Sequence, residues 1–314
     1  MVFAAILPCG TWPGQGQFSK GNGMELDQII AGGRILAAST VLATLIAGPL
    51  GAQDGAPVAR TVMTGGGALA FLEAGNGPAV VIVHGIGGHK EDWTGVMAAL
   101  APTHRVYAID MLGFGGSARL PADLTMGAQA GAVRDLLLAE GVAKADLLGN
   151  SVGGWVTATF AASYPDMTGK LVLVDPAGFA AMFDGEPPVN LFPDTVEQMK
   201  ALLEYVLASD FAHTDEFAAQ AFAAFEAGGE KAVVPTLFPA LVASPKLEEI
   251  LPKVTASTLV VWGKEDRLFP VALAPYITSL VPGATSVIIE AASHFPQIDN
   301  PAEFNAAVLG FLAD

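Results

Sequence analysis

Six short apolar runs constrain this chain more than any other feature: AVVIVHG from Ala79, RVYAID from Arg105, ADLLGN from Ala145, KLVLVD from Lys170, TLVVWG from Thr258 and TSVIIE from Thr285. Unbroken runs of Val, Ile and Leu at this length are the pattern of strands buried on both faces, which belong to parallel sheets. Helical spacing fills most gaps between them, over residues 92–100, 126–140, 153–164 and 301–312. The last of these opens with Asn300 as a cap and Pro301 at the first helical position. Upstream, TVMT and ALAFLEAG flank the turn Gly65 to Gly67 and read as a hairpin. Strand and helix alternating in this way predict an α/β fold with a mostly parallel, eight-stranded sheet flanked by helices. A chain of 314 residues, 52% hydrophobic, is long and apolar enough to bury such a sheet.

One interval breaks the rhythm. More than eighty residues, from about Pro176 to Ser257, separate KLVLVD from TLVVWG and hold no strand-like run. A crossover in a parallel sheet needs far less chain. Helical spacing in VEQMKALLEYVL and EFAAQAFAAFEA predicts an inserted helical lid over residues 177–256, between core segments 61–176 and 257–314. Most apolar lid residues are expected to form the lid's own core. Phe179, Met182, Phe183, Phe192 and Phe222 are the candidates to face a ligand.

Residues 1–60 read as a leader. No residue from Ile35 to Gln53 is charged, Arg34 precedes the run, and Gly51 and Ala52 offer a cleavage point, as in an exported protein. The run is also near the minimum length for a membrane span, so an anchor is the second expectation. Residues 1–23, with Pro8, Pro13 and five glycines, fit neither a signal nor a domain, which suggests Met24 as the start.

Charge and cysteine count exclude several functions. A net charge of −16, with only 15 Lys and Arg spread along the chain, argues against a nucleic-acid partner. Cys9 is the only cysteine, so neither an intramolecular disulfide nor a cysteine metal site can form. There is no H-E-x-x-H or comparable cluster for a catalytic zinc. Gly113, Gly115 and Ala118 imitate a dinucleotide fingerprint, but Pro121 follows at once and no long helix starts there. No metal and no cofactor is therefore expected.

The residues that carry chemistry sit at strand ends. Gly149, Asn150, Ser151, Val152 and Gly153 form G-x-S-x-G between the strand ADLLGN and the helix GGWVTATFAASYP. A strand-to-helix turn this sharp crowds the positions two residues either side of the serine, and glycine at both relieves it. The hydroxyl then stands at the amino end of a helix, where negative charge is favoured. Serine needs a base, and the base needs an orienting acid. Of five histidines, His294 in the loop EAASHFPQIDNP is the expected base. His84 reads as a brace of its own turn, His89 and His104 as surface positions, and His213 lies in the lid. Asp266 in VVWGKEDRLFP is the expected acid, with Asp175 in LVLVDPAGF as its rival and Asp110 as a structural residue. The loop HGIGG at 84–88 would bring the backbone N–H of Ile86 to converge with that of Val152 on an oxyanion.

Five segments, HGIGGHKEDW, DMLGFGGS, GNSVGG, WGKEDRLFP and SHFPQIDNP, together resemble a serine hydrolase of the α/β-hydrolase fold superfamily, in the order Ser, Asp, His. The resemblance covers about residues 61–314 and is greatest to monoacylglycerol-lipase-like and bacterial lipase/esterase members, which often carry an export signal or anchor. It implies Ser151 as nucleophile, His294 as base, Asp266 as its partner, and Ile86 with Val152 as oxyanion donors. Met111 departs from the family, which often has proline there. The expected activity is hydrolysis of a hydrophobic carboxylic ester through an acyl-enzyme. The alternatives are a carbon–carbon bond hydrolase of ring-cleavage products, or a non-catalytic ligand-binding relative. The expected partner is a small hydrophobic ester, with membrane association open through the leader and oligomeric state undetermined by the sequence.

Overall fold

The computed structural model of the chain describes residues 56–119, 121–183 and 188–313. The predicted leader from 1 to 55 lies outside the described residues, and among those described no helix is long and apolar enough to cross a membrane. Eight strands form one sheet: β1 (Val58–Thr64), β2 (Gly67–Ala74), β3 (Ala79–Val83), β4 (Arg105–Ile109), β5 (Ala145–Asn150), β6 (Thr168–Val174), β7 (Thr258–Gly263) and β8 (Thr285–Ile289). Their order across the sheet is β1-β2-β4-β3-β5-β6-β7-β8. Only β2 runs against its neighbours; every other pairing from β4 onward is parallel. The α/β fold with an eight-stranded, mostly parallel sheet is thus as the apolar runs predict. β1 starts at Val58, however, so residues 58–60 belong to the sheet rather than to the leader. Val58, Ala59 and Arg60 are exposed on an edge strand and give no buried pattern to read.

Alternation along the strands sorts the core into two layers. Val81 and Val83 of β3 pack on one face with α2 (Met126–Ala139) and α3 (Val152–Ser163). Val80 and Ile82 pack on the other with Trp93, α1 (Thr94–Leu100) and the final helix, α10 (Pro301–Ala313). All four β3 residues are fully buried, each contributing about 1.5–3 kcal/mol relative to exposure. α10 begins as its sequence predicts, with Asn300 Oδ1 accepting the Glu303 N–H at 3.4 Å.

The described chain between β6 and β7 contains helices and turns only: α4 (Val196–Val206), α5 (Asp215–Gly228), α6 (Val234–Ala243) and α7 (Leu247–Ile250). It is fastened to α3 by Trp155, whose indole N–H donates to Pro245 O at 2.8 Å. Leu237 and Leu241 of α6 join the same apolar cluster as α3. Between β7 and α10 lie two short helices, α8 (Leu273–Ser279) and α9 (Pro296–Asp299).

Register places the carboxyl ends of the central strands in line. Val83 pairs with Ile109 on one side and Gly149 on the other, Asn150 pairs with Val174, and Val174 with Val261. The residues that follow these ends therefore share one rim. Strand order reverses between β3 and β5, which is where open α/β sheets form their crevice.

Candidate active site

Ser151 occupies the corner between β5 and α3 with φ 54° and ψ −123°. A non-glycine residue held there stores roughly 1–3 kcal/mol of strain. Asp175 (φ 41°), after β6, and Ala291 (φ 49°), after β8, are the only other described non-glycine residues with positive φ. All three lie on the same rim. The glycines two places either side of Ser151 are sterically required: a methyl on Gly149 would run into the carbonyl of Gly153, and one on Gly153 into the carbonyls of Val83 and His84. Backbone bonds hold the corner from both sides, Ser151 N–H to Val174 O at 2.9 Å and Ala177 N–H to Ser151 O at 3.0 Å.

Tied to that corner through Asn150 is His294, 2% exposed, with Nδ1–H donating to Asp266 Oδ2 at 2.8 Å. The other oxygen of Asp266 accepts the N–H groups of Leu268 at 2.8 Å and Phe269 at 2.9 Å. The bond to Nδ1 fixes the tautomer that leaves Nε2 free to take a proton. Phe269 and Phe295 each meet the imidazole edge-on at 5.2 Å and fix its plane. Asn150, next to the serine, donates from Nδ2 to His294 O at 3.0 Å and to Val174 O at 3.2 Å, joining the two loops. Among the described residues no hydrogen bond joins Ser151 Oγ to the ring, and such bonds commonly tighten only around substrate. Glu265 is exposed, so of the two adjacent carboxylates only Asp266 enters the site.

The glycine loop after β3 closes against the serine: a methyl on Gly85 would come 2.9 Å from Ser151 Cβ. Ile86 follows Gly85 in that loop, and Val152 follows Ser151 as the first residue of α3, whose N–H has no intrahelical acceptor. His84 is the loop's brace. Its Nδ1–H donates to Gly85 O at 2.6 Å and its Nε2 accepts the Met111 N–H at 3.0 Å. A proline at 111 has no N–H to give, so methionine adds a tie at the family's departure. Burial above all pushes the His84 ring down to about 4, which keeps Nε2 an acceptor at neutral pH. Asp110 braces the same region, accepting the Lys90 N–H at 2.9 Å, the Lys90 ammonium at 2.7 Å and the Gly116 N–H at 2.8 Å.

Phe179 is 6% exposed and meets Phe269 edge-on at 5.0 Å, one ring away from His294. Met182, Phe183 and Phe192 pack, partly buried, against the same cluster. Phe183 meets Trp155 at 6.3 Å and Phe192 meets Phe238 at 6.1 Å. Phe222 stands apart, on α5 near the Lys231 ammonium at 5.7 Å.

Several residues of the site escape a reading of the sequence. Asp299 accepts the N–H groups of Ala208, Ser209 and Ser293 and the Ser209 hydroxyl, at 2.7–3.0 Å, clasping the end of α4 to the histidine loop. His294 N–H donates to Val206 O at 3.1 Å in the same clasp. Only the local sequence QIDNP hints at it. His89 and His104 are not surface positions: His104 is buried, with Nδ1 2.8 Å from the Thr103 hydroxyl, and His89 Nε2 lies 2.8 Å from the carboxylate of Glu230, a buried residue of the insertion after β6. Glu230 also comes 3.8 Å from where a Gly87 side chain would begin, against the loop that carries Ile86.

Burial works against a charge on His89, but Glu230, then Asp92 and Asp110, outweigh it and raise the ring from 6.5 to about 9, despite the neighbouring His84. A folded-state value above the unfolded one contributes stability that is complete below pH 6.5 and lost as pH rises through 9. Thermal and urea melts of the wild type should lose on the order of 2 kcal/mol across that window. H89Q should remove the slope, and an unchanged slope would show that this pair does not couple the insertion after β6 to the core.

Asp175, Asp266 and His294 each offer a ligand atom within 4.8 Å of the others, the composition of a metal site. Both oxygens of Asp266 are already engaged, however, one by the ring N–H and the other by the N–H groups of Leu268 and Phe269. The arrangement suits proton transfer instead. It can pass a proton from a hydroxyl to a ring, and present two backbone N–H groups to a developing oxyanion.

A family model described as "Alpha/beta hydrolase family" matches residues 80–307. A 2-hydroxy-6-oxo-6-(2'-aminophenyl)hexa-2,4-dienoic acid hydrolase of Metapseudomonas resinovorans is 31% identical over 273 residues, 83% of this chain and 93% of its own length. Hydrolases of this naming predominate among the most similar sequences compared. Lipase 3 of Moraxella sp. (strain TA144) is 29% identical over 259 residues, 77% of this chain and 80% of its own. The crystal structure of a membrane phospholipase A superposes with a TM-score of 0.74 at 27% identity, covering 88% of this chain and 90% of that one. The match takes in strands β4 to β8, nearly all of β3 and the three residues Ser151, Asp266 and His294, and the chain belongs to the alpha/beta hydrolase family.

Proposed function

We propose that the chain hydrolyses a neutral, hydrophobic carboxylic ester through a serine acyl-enzyme. The observation that carries the reaction type is the strained Ser151 corner on one rim with the His294–Asp266 pair, 2.8 Å from ring nitrogen to carboxylate, and joined to it through Asn150. His294 Nε2 takes the Ser151 proton as the oxygen attacks the carbonyl. Ile86 and Val152 hold the oxyanion, and His294 returns the proton to the leaving alcohol. Water repeats the sequence on the acyl-enzyme.

Charge favours the ester. Phe179, Met182, Phe183 and Phe192 supply an apolar wall, and the Glu230 carboxylate is buried beside the glycine loop. The lid segment 177–256 has no arginine. Its Lys200 and Lys231 are paired with Asp215 and Glu226, Lys246 donates to the carbonyls of Leu241, Val242 and Ser244, and Lys253 is exposed just ahead of β7, at the amino end of that strand. His89 answers the Glu230 charge, so among these groups a substrate carboxylate would find no spare cation at the rim.

The second reading is hydrolysis of a carbon–carbon bond in a 2-hydroxy-6-oxo-dienoate. The sequence relatives favour it over the ester, because enzymes so named predominate among them. Side-by-side assays on nitrophenyl esters of increasing chain length and on a 2-hydroxy-6-oxo-dienoate separate the two. We expect kcat/KM for the best ester to exceed that for the dienoate by about 100-fold or more, since a buried unpaired charge costs several kcal/mol. Faster turnover of the dienoate would overturn the ester reading.

A further inference from the structure

Asp175 has no part in the proton transfers above, yet it is fully buried on the rim with its backbone at φ 41°. Its Oδ1 accepts the Gly263 N–H at 2.9 Å, while its Oδ2 is buried with no hydrogen-bond partner. One of its carboxyl oxygens lies within 4.8 Å of both an Asp266 oxygen and a His294 ring nitrogen. Two buried carboxyls at this separation cannot both ionise without strong repulsion, so one proton is shared between them. Donor count decides where it rests. Asp266 receives the N–H groups of Leu268, Phe269 and His294, and a carboxylate with three donors is the better anion; Asp175 receives one.

We propose that Asp175 is a positioning residue that stays protonated at neutral pH, its Oδ2–H directed to the Asp266 carboxylate, so that the imidazole faces one negative charge and not two. This rests on the serine-hydrolase reading of Ser151, His294 and Asp266. The proton stays on Asp175 throughout, and no bond forms or breaks there. The titratable groups facing Asp175 are Asp266, His294 and, farther off, Asp299; burial first, and then the charge of Asp266, holds its carboxyl well above the ordinary range. The role follows from electrostatics. An ionised Asp175 would favour the imidazolium and disable the base near neutrality, whereas a donor to Asp266 disperses the charge that the ring senses.

The test is the pH profile of Ser151 labelling by a fluorophosphonate probe in the full chain, for wild type, D175N and D175L. Asparagine keeps the bond from Gly263 and can make the proposed donation to Asp266, so its acid limb should coincide with the wild type. Leucine keeps the volume without the donor, and its acid limb should move to higher pH, cutting labelling near pH 6 by about tenfold, equivalent to about one pH unit. D175A replaces leucine if D175L does not fold, as judged by circular dichroism. An acid limb that moves to lower pH in both variants would mean that Asp175 is ionised and overturn the inference, as would profiles unchanged in both. A wild type that is not labelled at all would overturn the catalytic reading and the inference together.

Discussion

Alanine at position 151 should lower kcat for an ester by about 10⁵- to 10⁶-fold while leaving the fold in place. In the proposed mechanism the hydroxyl is the bond-forming group, and neither His294 nor the backbone donors can replace it. What survives is the acceleration from oxyanion stabilisation and binding, roughly 10³-fold over water. The fold should hold because Ser151 is tied by its backbone, through Val174 and Ala177, and its Oγ enters no hydrogen bond among those described. Alanine has the same difficulty as serine with φ 54° and adds no clash. Turnover of nitrophenyl esters beside a thermal melt makes the comparison; activity within tenfold of the wild type would remove Ser151 from the mechanism.

Asparagine at position 266 should cost about 10⁴-fold in kcat/KM. Its Oδ1 can still accept from Leu268 and Phe269, so the loop keeps its shape. The changed atom is the one that faces the ring. An amide N–H opposite Nδ1 demands an acceptor there, which moves the imidazole proton to Nε2 and points it at Ser151. The base is then blocked in the tautomer that cannot take a proton. A kcat/KM within tenfold of wild type would pass the orienting role to Asp175, the rival acid after β6.

Local chemistry makes the frame legible. Six apolar runs and their helical gaps each carry their own signal, and the elbow is written within five residues because its glycines answer a clash between immediate neighbours. What stays hidden depends on distant partners. Asn150 meets a carbonyl 144 positions away, and Asp299 meets Ala208 from 91 positions away. His89 reads as a surface residue because Glu230, its counter-charge, lies 141 positions away in the insertion after β6. His104, too, owes its burial to the packing around it, and no local periodicity announces that. In the sequence Asp175 and Asp266 compete for one role, since a linear chain does not show that two strand ends bring both beside one ring.

The clasp made by Asp299 and Val206 has a practical consequence for chimeras. The insertion after β6 is tempting to exchange with that of a relative in order to transplant substrate preference. Cutting between α4 and the following turn would sever Ala208 and Ser209 from Asp299 and release the backbone of His294 from Val206. A graft that retains residues 206–209 of the host, together with its own Asp299, carries the base intact; one that replaces them changes the base along with the specificity it set out to borrow.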